Sequence, residues 1–211
     1  MKKNYIRILI RKIKRLFYRF SLGKFGKKSF IDRPLRINGK RSIYIGNNVL
    51  IQYKTWLASE PLTGENESVL FIEDGCTIGH FNHIYATKSI ILHKEVLTAD
   101  KVYISDNLHG FTDINLPIKK QPIVQKKTVE IGEGSWLGEN VCVIGASIGK
   151  HCVIGANSVV THDIPDYSVA VGAPAKVIKR YESRKKEWVK TNQDGSFVID
   201  DISNKSKLVK C

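Results

Sequence analysis

Aliphatic residues recur at intervals of six along most of this 211-residue chain. Ile45, Ile51 and Leu57 begin the series, Ile72, Ile78, Ile84 and Ile90 continue it, and Leu92, Thr98 and Ile104 follow a two-residue slip. It resumes with Ile131, Leu137 and Val143 and, after a shorter step, Ile148, Ile154 and Val160. Glycine often follows the aliphatic ("IGNN", "IGHF", "LGEN", "IGKH"), as a tight corner would require. Two positions earlier stands a small or β-branched residue such as Val49, Thr55, Cys76, Val102 or Cys152, a second inward position. A helix repeats about every 3.6 residues and a flat strand about every two, so neither alone yields six. Short strands separated by regular corners do.

The pattern therefore predicts an all-β solenoid. Each rung buries its aliphatics only against the rungs above and below, so both ends need covers. Three segments follow: a basic amphipathic helix within residues 1–31, the solenoid over 32–180 with a loop at 105–128, and a short helix plus tail over 181–211.

The net charge of +14 resembles a nucleic-acid signature until it is located. Residues 1–31 hold eleven of the 34 Lys and Arg and none of the 20 acids, so the remaining residues carry 23 bases against 20 acids. No binding motif and no interleaved aromatic platform accompanies that charge, and a nucleic-acid partner is not expected. Within residues 2–20, Ile6, Leu9, Ile10, Ile13, Leu16, Phe17 and Phe20 fall at helical spacing with basic residues opposite. Such a stripe can cap the solenoid, the use expected first, and can also lie on an anionic membrane surface.

Arg7, Arg11, Lys12, Lys14 and Arg15 break the N-terminal apolar run, so neither a secretory signal nor a membrane span is expected. The four cysteines form no C-x-x-C pair, which suits a reducing compartment and reads Cys76 and Cys152 as small core residues.

The repeat lapses between Ser105 and Lys127, where Gly110, Pro117, Pro122 and a set of lysines mark an extruded loop. At its root, "SDNLHGF" holds His109. A loop histidine can merely bond a turn carbonyl, but an imidazole titrating near neutrality also suits removal of a proton from an alcohol. Asn82 stands where other rungs put small or aliphatic residues, and is either a laddered core amide or an acceptor contact. Trp136, just before a corner, presents a flat aromatic face that can stack on a ligand or cover a seam.

The run "IGEGSWLGENVCVIGASIGKHCVIGANSVVTHDIPDYSVAVGAPAKVIKRY" resembles the left-handed β-helix acyltransferases with hexapeptide repeats, in particular their bacterial surface-polysaccharide O-acetyltransferase branch. The resemblance spans roughly residues 40–182. It implies a left-handed parallel β-helix, a homotrimer, acetyl-CoA held between subunits, and a sugar hydroxyl of a capsule, lipopolysaccharide or precursor as acceptor. It also implies a base histidine in a motif matched by Asp106, His109 and Gly110, with Asn107 where some relatives carry a first histidine.

On the same ground Asn82, Trp136 and Asp106 fall on the substrate side, Ala156 and Thr161 flank the pantetheine arm, and Lys176 and Lys179 lie near its phosphates. Metal is not expected, because the His-x4-His spacing of the carbonic-anhydrase relatives is missing. The implied location is cytoplasmic, at the inner face of the membrane. Two alternatives stay open: N-acetylation of an amino sugar, and a non-catalytic scaffold, suggested by Asn107 and the short step before Ile148.

Overall fold

The computed structural model describes residues 2–192 and 195–198. Short strands stack as three sheets, each forming one face of a prism. The first face holds Lys24–Phe25, Ile43–Ile45, Val69–Ile72, Ser89–Leu92 and Val129–Ile131. The second runs from Phe30–Ile31 through Leu50–Ile51, Thr77–Ile78, Leu97–Thr98, Trp136–Leu137 and Val153–Ile154 to Ser168–Val171. The third comprises Arg36–Asn38, Trp56–Ser59, His83–Ala86, Tyr103–Ser105, Cys142–Ile144 and Val159–Val160. Pairing between coils is parallel, so the expected parallel β-helix is the observed fold.

Register explains the core. Ile31, Ile51, Ile78, Thr98, Leu137, Ile154 and Ala170 pair in succession up the second face, and all are buried. Each fully buried aliphatic contributes about 1.5–3 kcal/mol, an upper estimate because denatured chains already hide some surface. The slip at Ile90 and Leu92 is one four-residue strand with both residues inward.

The glycine after each aliphatic has a different reason from the one expected. Left-handed backbone falls two residues later, on Asn48 (φ 55), Phe81 (φ 57) and Asn157 (φ 61). Gly46 and Gly149 are needed because a Cβ there would collide with Oδ1 of Asp74 and Asp166, which reach back from the next coil.

Those carboxylates join coil to coil. Asp74 Oδ1 accepts from Asn47 N at 2.7 Å, Asp100 Oδ1 from His80 N at 2.7 Å, and Asp163 Oδ1 from Ser147 N at 2.9 Å. The backbone N–H of Asn47 holds Asp74 below the usual carboxylate value, and the Lys127 ammonium, then Ser147 N–H, do so for Asp163. A folded pKa below the unfolded one means stabilisation that is present above the ordinary value and lost as pH falls through the folded one. The thermal midpoint should therefore stay level from neutrality to about pH 5 and fall below about pH 4. Circular dichroism melts across that range test this, and an unchanged midpoint at pH 3 would refute it.

Burial pushes the Cys76 thiol up to about 12. In the native protein at pH 8, iodoacetamide should leave Cys76 unmodified and label the half-buried Cys142, as peptide mass spectrometry would read.

Both ends depart from expectation. The solenoid begins at Lys24, not at residue 32, because residues 24–38 complete a first coil. The helix Lys2–Ser21 covers that coil through Tyr18, whose ring meets Phe25 at 5.5 Å, and through the following Leu22, while Ile13, Leu16, Phe17 and Phe20, the described part of the apolar stripe, stay exposed. At the other end the expected helix over residues 181–190 is a β-hairpin. Lys176–Glu182 and Glu187–Lys190 extend the second face antiparallel, with Tyr181 opposite Trp188 and a left-handed Lys186 at the turn. The open sheet edge at Ser168–Val171 supplies backbone partners that outweigh helix propensity. Of the tail, residues 199–211 lie outside the described residues.

Every irregularity of the repeat falls at one edge. Inward positions are six apart from the first face to the second and from the second to the third, as in Ile45, Ile51, Leu57 and Ile148, Ile154, Val160. From the third face back to the first the interval varies: Leu57 to Ile72 and Ile104 to Ile131 are long, Val143 to Ile148 and Val160 to Ile164 short.

Candidate active site at the variable edge

The longest insertion at this edge starts as an antiparallel ribbon, Asn107–His109 against Ile123–Gln125. Gly110 N donates to Pro122 O at 2.8 Å, and a Cβ at Gly110 would stand 2.8 Å from that oxygen, so only glycine closes the ribbon there. Beyond it the chain forms a lobe around Gln121. This buried amide donates to the carbonyls of Asp113 and Leu116 at 2.8 and 2.9 Å and accepts from Asp113 N at 3.2 Å.

Asp106, expected to touch substrate, is fully buried. Its carboxylate accepts from Thr87 N, Thr87 Oγ1, Lys88 N and Ser89 N at 2.7–2.9 Å and from Asn107 Nδ2 at 3.2 Å. No oxygen is left for an acceptor. Asp106 is a positioning residue that ties the ribbon to the coil beneath, and Gln125 Nε2 on the second strand adds a bond to its carbonyl at 2.7 Å.

Alternation puts Asn107 and His109 on one face of the ribbon. Asn107 is buried, with Nδ2 directed to Tyr85 O at 3.4 Å, whereas His109, one pleat further out, is exposed. Its imidazole has no hydrogen-bonding partner among the described residues. Of the two positions at which the motif can carry histidine, the solvent-facing one holds the imidazole here.

Asn82 is buried inside a corner, where its Nδ2 donates to Ala99 O at 2.9 Å and His80 O at 3.3 Å while its Oδ1 has no partner among the described residues. Thr161 shares the variable edge with His109, while Ala156 is exposed at the corner between the second and third faces. Trp136 points outward from the second face, and Lys176 and Lys179 lie on the hairpin that extends it. One chain therefore does not bring His109 together with Trp136, Lys176 and Lys179: the second face is opposite this edge.

Sequence reasoning missed a cluster on the third face. Trp56 stacks on His83 with ring centroids 4.2 Å apart, Tyr103 meets His83 edge-on at 5.2 Å, and Arg36 lies over Trp56 at 5.6 Å. Beside them Tyr85 donates to Glu60 at 2.8 Å, and Asn38 donates to the other oxygen of Glu60 at 3.1 Å. Burial lowers the His83 pKa, so this ring is neutral near physiological pH. The signal was available: these residues flank inward aliphatics, at outward positions where a solvated face needs no aromatic.

A surface depression of about 640 Å³ opens on the first face, away from His109. His93 lies there between Glu73 at 3.4 Å and Glu130 at 2.9 Å, and further carboxylates line it, which is unfavourable for a polyphosphate. Among the described residues no three or more His, Cys, Asp or Glu side chains converge in an arrangement that could hold a metal ion. No described helix is long and apolar enough to cross a membrane.

The family model for the hexapeptide repeat of succinyl-transferase matches residues 128–162. The solved chain of AntD, an N-acyltransferase from Bacillus cereus, superposes with a TM-score of 0.66 over 82% of this chain and 90% of its own, at 17% identity. The hexapeptide-repeat acetyltransferase VCA0836 from Vibrio cholerae superposes with a TM-score of 0.56 over 82% and 81% of the two chains, at 20% identity. The chain has the fold of the left-handed β-helix proteins, and residues 128–162 carry the hexapeptide repeat.

Two curated relatives extend the comparison of this hexapeptide-repeat protein. Rv3034c of Mycobacterium tuberculosis, provisionally named an acetyltransferase, is 44% identical over 58% of this chain and 40% of its own. WbbJ of Escherichia coli, provisionally named a lipopolysaccharide biosynthesis O-acetyl transferase, is 38% identical over 58% of this chain and 66% of its own. The chain thus spans less than two thirds of the length of these relatives.

Proposed function

We propose that this chain is an acetyl-CoA-dependent O-acetyltransferase acting on a sugar hydroxyl of a surface polysaccharide, capsule or lipopolysaccharide, or its precursor, with His109 as general base. The observation that carries the proposal is an exposed imidazole, unpartnered among the described residues, on a ribbon anchored by Asp106 at the one edge where the scaffold accepts insertions. The name of WbbJ supports an O-linked product. AntD, solved with dTDP and 3-hydroxybutyryl-CoA, supports a thioester donor on this scaffold.

The chemistry is direct transfer. As the acceptor oxygen attacks the acetyl carbonyl, His109 takes the hydroxyl proton; the C–O bond forms, the C–S bond breaks, and the imidazolium returns its proton to the departing thiolate. A neutral base at the start is all that this sequence asks of the protein. Trp136, Ala156, Lys176 and Lys179 join the site when the second face of another copy meets this edge, and a homotrimer closes such head-to-tail contacts into a ring. Thr161 then lies near the donor on the same edge as His109. Dependence on acetyl-CoA puts the enzyme in the cytoplasm, with residues 2–20 as its contact to an anionic inner membrane face.

The test is incubation with acetyl-CoA and a panel of glycan acceptors, reading free thiol and product mass. The expected product gains one acetyl group and loses it in mild alkali. An alkali-stable product would be an amide and would move the assignment to an amino sugar, the acceptor class of an N-acyltransferase. Absence of transfer with every acceptor would favour a non-catalytic scaffold. Light scattering should give the mass of three chains, and a monomer would remove the shared site.

A further inference from the structure

The N-terminal helix and the lobe beyond His109 leave the scaffold from the same edge. The helix enters the first face at Lys24, and Gly23 N donates to Lys40 O at 3.1 Å in the third-to-first corner of the first coil. The lobe leaves the corresponding corner of the fourth coil. Three coil spacings of about 4.8 Å separate the two corners, roughly 14 Å, against a helix about 30 Å long. One flat surface can meet both.

Both elements present apolar side chains that are largely exposed among the described residues. Ile13, Leu16, Phe17 and Phe20 form an i, i+3, i+4, i+7 stripe and are 59%, 56%, 56% and 70% exposed. Tyr18, which anchors the helix, lies on the opposite side and is 8% exposed. The cap is thus built without the stripe. In the lobe, Phe111 is 66% and Ile114 94% exposed, joined by Leu116 and Ile118. The lobe is held together by the Gln121 amide and not by its apolar residues, so packing does not account for them.

Charge selects the partner. Lys12, Lys14 and Arg19 flank the stripe, Arg41 borders it, and Lys119 and Lys120 adjoin the apolar lobe residues. The acids of this edge are largely engaged: Glu60 by Tyr85 and Asn38, Glu65 by Lys88 at 2.8 Å, and Asp113 by Asn115 N at 2.8 Å, leaving Glu67. Apolar side chains ringed by cations fit a bilayer interface with anionic headgroups.

We infer that this edge is a membrane-docking surface with two points of contact, the helix stripe and the lobe. His109 then works at headgroup level, and, on the acyl-transfer reading above, the acceptor is a hydroxyl of a glycan held at the bilayer by an apolar anchor. The lobe contact is what joins membrane binding to the site, because Phe111 lies two residues from His109.

Sedimentation of the full chain with vesicles tests this, using phosphatidylcholine alone and phosphatidylcholine with phosphatidylglycerol. Binding is expected on the anionic vesicles, weaker on the neutral ones, and reduced by added salt. Phe17→Asp with Phe20→Asp, and separately Ile114→Asp with Ile118→Asp, should each lower partitioning by about 10-fold at unchanged melting temperature, since all four side chains are exposed. Failure of the full chain to sediment overturns the inference, as does equal binding to both vesicle types. Unchanged binding of the lobe variant overturns the two-point contact. A smaller oligomer in the helix variant, with vesicle binding intact, assigns the stripe to a second copy. None of these readouts requires acetyl transfer, so a soluble acceptor that is still acetylated by a non-binding variant leaves the proposed activity standing.

Discussion

Replacing His109 by alanine should reduce acetyl transfer by at least about 100-fold, the lower end of what a general base contributes. The loss should fall on kcat, with the KM for acetyl-CoA little changed, because the proton moves only as the acceptor oxygen attacks. The melting temperature should be that of the parent, since the ring is exposed and bonds no described residue. His93→Ala and His151→Ala serve as controls: one ring lies between two carboxylates on the first face and the other stacks on Tyr167 at a distant corner, so both should transfer acetyl at close to the parent rate. A His109→Ala protein within about 3-fold of the parent would remove the base from this position and turn attention to the His83 cluster on the third face.

The Asp106→Ala substitution should be the most destabilising single change at the site. Its fully buried carboxylate meets five donors, and removal leaves the N–H groups of Thr87, Lys88 and Ser89 without that acceptor. Orphaned buried donors cost about 1–3 kcal/mol each and removal of one partner from a buried charged network about 3–5 kcal/mol, so a total near 4 kcal/mol is expected. At this chain length that is roughly 10 °C in melting temperature. Asp106→Asn should recover little, because an amide presents a donor where the backbone also donates. Transfer should fall along with stability as the ribbon carrying His109 loosens. A variant that melts normally but shows a raised acceptor KM would return Asp106 to the substrate side, where the sequence pattern had put it.

That reassignment shows what a linear motif omits. "SDNLHGF" announced a break in the repeat and an imidazole at its root, and both are present. Which of its polar residues faces solvent depends on a corner where Thr87, Lys88 and Ser89 supply four donors, some twenty residues earlier in the chain and one coil below. Asn82 is a similar case. Its exceptional place in the repeat was visible, but only the neighbouring coil brings the carbonyl of Ala99 to within 2.9 Å of Nδ2 and holds the amide inside a corner. The run around Tyr181 and Trp188 has helical composition, and it is a hairpin because the last parallel strand leaves an open edge nearby.

By itself the sequence determined the inward ladder of a solenoid and the position of the extruded loop with His109; that each coil has three sides came from the resemblance and is shown by the three sheets. The ladder and the loop's position rest on burial that each short strand repeats locally, so they can be read along the chain. Only the tertiary structure decided that every insertion gathers on one edge, that the helix keeps Ile13, Leu16, Phe17 and Phe20 largely in solvent, and that Asp106 is sealed inside. Those depend on the stacking of coil upon coil, which sets residues far apart in sequence about 4.8 Å from one another and lets backbone donors, not composition, choose a side chain's partner.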